Sequence, residues 1–331
     1  MRWITASIIA TVLGAWIFCP AAPAPTVDGA AGLADRAETV LCRDAGSADH
    51  TAPAGIEDQL LKNTLRRKAG ALLDGGQTVD VPILIRQLTH STCSLDLQAP
   101  DSGVYDPADL YLSASKSVVV VSGIYHCGSC SDWHVSTASG FVLTADGAIV
   151  TNYHVVDSPE YQTLVVMTAD RQVHPVKRVL AASRADDLAI LKIDAEGLRP
   201  LPLVGSRADA PVGSPISVIS HPDGRYYHYS DGVISRHLRL DASGRTIEAL
   251  TISAEYARGS SGAPVLNHQG QVVAVVSNTE SIYHTQDGPR QRDLQMVVRT
   301  CAPAASILRL IHPTTQVTQA ESNSPGSRPW W

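Results

Sequence analysis

The sequence predicts an all-β protein of two six-stranded β-barrels, with a small helical N-terminal region and a short C-terminal helix. Two observations carry this. From Pro107 onward the chain consists of short apolar, β-branched segments separated by Gly, Asp and Asn turns, the texture of half-buried strands joined by tight connections. About eleven such segments fall into two groups of about six, enough for two packed barrels. A length of 331 residues, with 44% apolar and 18% charged residues, supplies apolar surface for cores of that size.

The chain opens MRWITASIIATVLGAWIFCPAAPA. Arg2 precedes an apolar run from Trp3 to Phe18, followed by small residues and prolines, which is the layout of a secretory signal peptide over residues 1–24. The run is shorter than the roughly 20 residues of a comfortable membrane span. The mature protein is therefore expected to be secreted or periplasmic without stable membrane insertion, anchoring by an uncleaved signal being the alternative. Bulky Trp16, Ile17 and Phe18 before Cys19 argue against lipidation.

Residues 25–105 read as a linker followed by a small helical region that packs against the barrels or masks a cleft in them, and that is dispensable for their folding. Ala, Gly, Asp and Pro dominate up to residue 56. Ile56, Leu60, Leu61, Leu65, Ala69 and Leu72 then recur at helical spacing until Gly75 and Gly76 stop the pattern. A second apolar run, VPILIRQL (81–88), leads to Cys93. The predicted strands follow: SVVVVSGI (117–124), SGFVLT (139–144), GAIVT (147–151), TLVVM (163–167), LAILKI (188–193), PISVI (215–219), HYSDGVI (228–234), ALTIS (249–253), APVL (263–266), VVAVVS (272–277) and LQMVV (294–298). Residues 303–312 read as a closing helix, and 313–331 as a disordered polar tail.

A formal net charge of −6 argues against a nucleic-acid partner, and the basic cluster Lys62, Arg66, Arg67 and Lys68 is accounted for by a solvated helix face. Export places Cys42, Cys93, Cys127, Cys130 and Cys301 in an oxidising compartment that favours disulfides. A Cys42–Cys93 bridge would stabilise the N-terminal region by about 4 kcal/mol through chain entropy. The odd count leaves at least one free thiol or an intermolecular bridge.

Three local patterns bear on chemistry. His154 follows an apolar strand in AIVTNYHVV (148–156), Asp187 precedes another in SRADDLAILKI (183–193), and two serines sit between Gly259 and Gly262 in RGSSGAP (258–264). Each pattern alone fits a turn or a structural residue. The order His, Asp, Ser in a β-rich chain is what points to nucleophilic catalysis.

On TNYHVV (151–156), DLAILK (187–192) and GSSGAP (259–264), the chain resembles the trypsin-like serine proteases of chymotrypsin fold, nearest the bacterial HtrA/Deg group and without room for a PDZ domain. SVISHPDGRYYHYSDGVIS (217–235) and GQVVAVVSNT (270–279) are similar to flanking segments of that family, so the resemblance spans about residues 106–312. It implies an exported serine endopeptidase acting on proteins or peptides without a cofactor. Ser261 would be the nucleophile, His154 its general base and Asp187 the orienting acid. The N–H groups of Gly259 and Ser261 would form the oxyanion hole, worth roughly 3 kcal/mol per donor. Ala263 and Ser260 depart from the usual Gly and Asn or Asp. With no carboxylate at Ser260 and no IVGG-like start, activation by a buried N-terminus is not expected. The alternative is a catalytically inactive member of the fold that binds proteins.

Two further features stay open. HCGSCSDWH (126–134) reads as a Cys127–Cys130 disulfide, with zinc on His126, Cys127, Cys130 and His134 as the alternative and a cysteine peptidase or redox site as a third reading. Glu255 precedes Ser261 by six residues, the offset that resemblance to trypsin-like enzymes places at the base of the primary specificity pocket. A carboxylate there would select Arg or Lys. The competing readings turn Glu255 outward onto Arg258, or take from the resemblance to HtrA relatives a pocket that favours small aliphatic residues at the cleaved position.

Overall fold

A computed structural model of the chain describes residues 55–99, 103–130, 132–206, 210–242, 244–285 and 292–312. The expected signal peptide, the linker up to residue 54 with Cys42, and the tail 313–331 lie outside the described residues.

Three helices precede the strands: α1 (Asp58–Asp74), α2 (Val81–Gln87) and, after the two-residue β1 (Cys93–Ser94), α3 (Pro107–Ala114). Helix α3 starts where Asp106 accepts the N–H groups of Ala108 and Asp109, both at 2.9 Å, with Pro107 preset in the first turn. The first barrel uses β2 (Val118–His126), β4 (Ala138–Val142), β5 (Ala148–Thr151), β6 (Thr163–Met167), β7 (Val173–Ser183) and β8 (Leu188–Ile193). Their antiparallel order β2-β4-β5-β8-β7-β6 closes through β2–β6, and β3 (Trp133–Val135) extends the edge of β2 beyond β4. The second barrel is the closed antiparallel ring of β10 (His228–Ala242), β11 (Arg245–Ile252), β14 (Arg292–Pro303), β13 (Val272–Thr285), β12 (Pro264–Leu266) and β9 (Pro215–Ser220). The two-barrel expectation holds, and the predicted strands fall on these elements.

Burial explains the strand sequences. The run Val118–Val121 shows no polar alternation because both faces of β2 are covered. Val119 and Val121 point into the barrel with Ile149, Leu164, Val166 and Leu191, whereas Val120 points out against Leu61, Leu65 and Ala69 of α1. On β5 and β8 the alternate residues Val150 and Ile190 face Val218, Val265 and Val275 of the second barrel. Helix α2 and its C-cap residue Leu88 add Val81, Leu84 and Leu88 to the core of the first barrel.

The described residues 55–99 accordingly belong to the same compact unit as the barrels, packed against the first one. Asp58 also accepts the backbone N–H of Tyr226 at 2.9 Å. Three further differences from the sequence reading have local causes. Strand β7 escapes the pattern because Pro175 and bulges at Val176/Arg178 and Val179/Ala181 disturb its period of two. Strand β3 is only three residues long. The closing helix shortens to α5 (Ala304–Leu308), because Ile311 and His312 leave it as β15 to pair in parallel with Cys93 and Ser94.

Candidate active site

His154 sits on α4 (Tyr153–Val156), a single turn that follows β5, and Asp187 occupies the turn from β7 into β8. The structure brings them together. His154 Nδ1 lies 2.9 Å from Asp187 Oδ2 and 3.0 Å from Oδ1, and the backbone N–H of His154 donates to Oδ1 at 3.1 Å. Their side chains are 52% and 26% exposed, so the pair stands at the rim of a cleft. Asp187 adopts a positive φ of 54°, which Asp tolerates better than most residues. Asn152 Nδ2 donates to its carbonyl at 2.9 Å, which gives the Asn of TNYHVV a physical role.

The second barrel completes this arrangement through Ser277 of β13, whose hydroxyl donates to Asp187 Oδ2 at 2.6 Å. The sequence reading passed over Ser277. Its only signal is a lone hydroxyl ending the buried run of VVAVVS. Asp186, the neighbour of Asp187, points elsewhere. It is buried and accepts from Ser183 at 2.6 Å, Ser306 at 2.9 Å and Arg309 at 2.9 Å. That cluster ties the β7–β8 turn to α5 and so holds the backbone that carries Asp187.

Ser261 lies in the turn between β11 and β12. Gly259 and Gly262 flank it at φ of 98° and 87°, and both approach backbone too closely for a side chain. A Cβ on Gly259 would stand 2.5 Å from the carbonyl oxygen of His221, and one on Gly262 would collide with the carbonyl oxygen of Ser139. Ser139 of β4 braces the turn from the first barrel. Its N–H donates to the carbonyl of Ser261 at 2.8 Å and its hydroxyl to that of Gly259 at 2.9 Å. The carbonyl of Arg258 accepts the N–H of Asp223 at 2.6 Å. Among the described residues, the N–H groups of Gly259 and Ser261 and the Ser261 hydroxyl have no hydrogen-bond partner. Ser260 is buried, and its hydroxyl donates to Ser220 at 3.0 Å.

His221, behind this turn, is fully buried between Tyr226 and Tyr227. Its Nδ1 accepts the N–H of Tyr227 at 3.0 Å, and burial pulls its pKa down to about 4, so it is neutral at pH 7. His154 and Ser261 line one cleft of about 520 Å³, whose walls include Tyr125, Thr137, Tyr161 and Arg258. On the other side of His154 a hollow of about 410 Å³ is lined by Leu240, Ala249, Ser277 and Thr300.

Glu255 does not floor this cleft. Its side chain is 83% exposed and pairs with Arg299 at 3.4 Å, not with Arg258. At the β2–β3 connection, Cys127 and Cys130 are exposed with their sulfurs 3.3 Å apart and unbonded, and His134 Nε2 is 3.0 Å from Cys130 Sγ. His126 leaves the group to stack on Trp133 at 3.7 Å. Hydrogen bonds from Ser129 lower the Cys127 thiol to about 6, and the Cys127 contact raises Cys130. Cys301 is buried beside Tyr256, and burial pushes its thiol up to about 12.

Residues 138–275 match the trypsin-like peptidase domain family. The chain is 37% identical over 145 residues to Protease Do-like 1, chloroplastic, of Arabidopsis thaliana, covering 42% of this chain and 32% of that protein. It is 31% identical over 142 residues to a probable periplasmic serine endoprotease DegP-like protein of Hahella chejuensis, covering 43% and 29%. The crystal structure of Deg5 matches over 61% of this chain and 90% of its own, at 28% identity and a TM-score of 0.48. The chain thus spans under a third of the length of these two sequence relatives.

Proposed function

We propose that this chain, which carries a trypsin-like peptidase domain at residues 138–275, is an exported serine endopeptidase that hydrolyses peptide bonds in proteins through His154, Asp187 and Ser261. The observation that carries the reading is the Asp187 carboxylate held between the Ser277 hydroxyl and Nδ1 of His154, the residue that shares a cleft with Ser261. With Nδ1–H donated to Asp187, His154 keeps its basic lone pair on Nε2. On substrate binding, Nε2 takes the proton of Ser261 as Oγ attacks the scissile carbonyl carbon. Such contacts commonly tighten only in the complex.

The negative charge then moves to the carbonyl oxygen, where the N–H groups of Gly259 and Ser261 receive it. Their orientation is preset, since a planar trans peptide whose carbonyl accepts from Asp223 turns the Gly259 N–H to the opposite side. Collapse of the tetrahedral intermediate breaks the C–N bond, and His154 returns its proton to the leaving amine. A water, deprotonated by His154, attacks the Ser261 ester; the C–Oγ bond breaks, His154 returns the proton to Oγ, and the acid leaves. Export rests on the signal-peptide pattern of residues 1–24 and on relatives named periplasmic or chloroplastic. Glu255 plays no part in substrate selection in this reading, because it stands outside the cleft.

The test compares single and double variants in peptide hydrolysis. His154→Ala and Ser261→Ala should each lower kcat by roughly four to six orders of magnitude, and the double variant by little more, because the residues act as a unit. Additive losses would contradict the shared mechanism.

A further inference from the structure

We propose that Cys127, Cys130 and His134 form a binding site for a thiophilic transition-metal ion, Zn²⁺ in the first instance, with a fourth coordination position open to water. The ligand atoms are the two Sγ and a ring nitrogen of His134, and all three lie within 4.8 Å of one another on exposed or half-exposed side chains. Tetrahedral zinc, with bonds of about 2.3 Å to sulfur and about 2.0 Å to nitrogen, sets its ligands about 3.8 Å apart for two sulfurs and about 3.5 Å for sulfur and nitrogen. The separations of 3.3 Å and 3.0 Å are within about half an ångström of that geometry.

A disulfide is the competing fate of two cysteines separated by two residues, and it explains less. It would need the sulfurs at about 2.05 Å. It would also leave His134 without a reason to aim Nε2 at Cys130. The fourth residue that spacing suggested, His126, is engaged with Trp133, so a three-ligand site with one open position fits better than a closed one. Two thiolates and an imidazole suit zinc or copper and not magnesium or calcium.

The position ties this site to the cleft. The His134 ring lies 5.6 Å from that of Tyr125, which lies 6.0 Å from Tyr161, and both tyrosines line the hollow shared by His154 and Ser261. Strand β3 runs from the cluster straight into Val135, Ser136 and Thr137 on the same wall. Metal loading therefore fixes the tip of the β2–β3 hairpin and, through Tyr125, one side of the substrate cleft.

The experiment uses the full exported chain, reduced, freed of metal, and titrated with Zn²⁺ and Co²⁺. One equivalent of each should bind, and Co²⁺ should give thiolate-to-metal charge-transfer absorption. Cys127→Ser, Cys130→Ser and His134→Ala should each weaken binding by more than about 100-fold, since even outer-shell changes at metal sites cost 10- to 100-fold. His126→Ala should bind as the parent does. The ligands are surface side chains, and circular dichroism would verify that each variant is folded. Loss of binding only in the cysteine variants, with His134→Ala unchanged, would overturn the proposed ligand set. So would binding no tighter than that of the Cys127→Ser/Cys130→Ser double variant, or a Cys127–Cys130 disulfide that Zn²⁺ fails to prevent during reoxidation.

Discussion

Replacing Ser277 by Ala removes one hydroxyl and tests whether the second barrel positions Asp187. The bond to Oδ2 is 2.6 Å long and charge-assisted, a class worth about 1.5–3 kcal/mol. Asp187 would keep its two contacts to His154, at Nδ1 and at the backbone N–H, so the carboxylate should loosen rather than leave. If the full value is felt in the transition state, kcat/KM should fall by about 10- to 100-fold, at about 1.4 kcal/mol per tenfold. The assay is hydrolysis of a fluorogenic peptide across pH, with urea unfolding alongside to separate catalysis from stability. Ser277→Thr, which keeps the hydroxyl, should recover most of the loss. Unchanged kcat/KM in Ser277→Ala, with Asp187→Asn inactive, would refute the positioning role.

Three more outcomes follow from the packing. His221 has a folded pKa of about 4 against about 6.5 unfolded, so the unfolded chain binds its proton first and stability falls as pH drops through that window. The loss at pH 4.5 should be about 2–3 kcal/mol larger in the parent than in His221→Asn, by urea unfolding at pH 7 and 4.5. Leu65→Ala, at a position with no exposed surface between α1 and β2, should cost about 2–5 kcal/mol in the same measurement, and a value near zero would return α1 to the status of an appendage. Glu255→Ala should leave the relative cleavage of peptides differing only in Arg or Val before the scissile bond unchanged, and a lost Arg preference would put the carboxylate back in the pocket.

Local patterns carried what was legible in the sequence. Strand and turn chemistry marked both barrels, and TNYHVV, DLAILK and GSSGAP each hold their key residue at an element boundary, where a few neighbours fix its direction. What escaped acts over long separations. Ser277 reaches Asp187 across 90 positions and Ser139 reaches Gly259 across 120, each from the opposite barrel, and nothing in either segment names its partner. Helix α1 was legible as amphipathic, but the surface that Leu61, Leu65 and Ala69 meet is set by tertiary packing. The same limit applies to Glu255: the sequence left it between the pocket and the outside, and its partner Arg299, 44 positions away, leaves no local sign.

The central claim, that Ser261 is a nucleophile activated by His154, is tested most directly by intact-protein and peptide mass spectrometry after treatment with a fluorophosphonate. The account predicts a single phosphonyl adduct mapped to Ser261, absent in Ser261→Ala and formed orders of magnitude more slowly in His154→Ala. An adduct of equal yield in Ser261→Ala, or none in a folded parent chain, would contradict it.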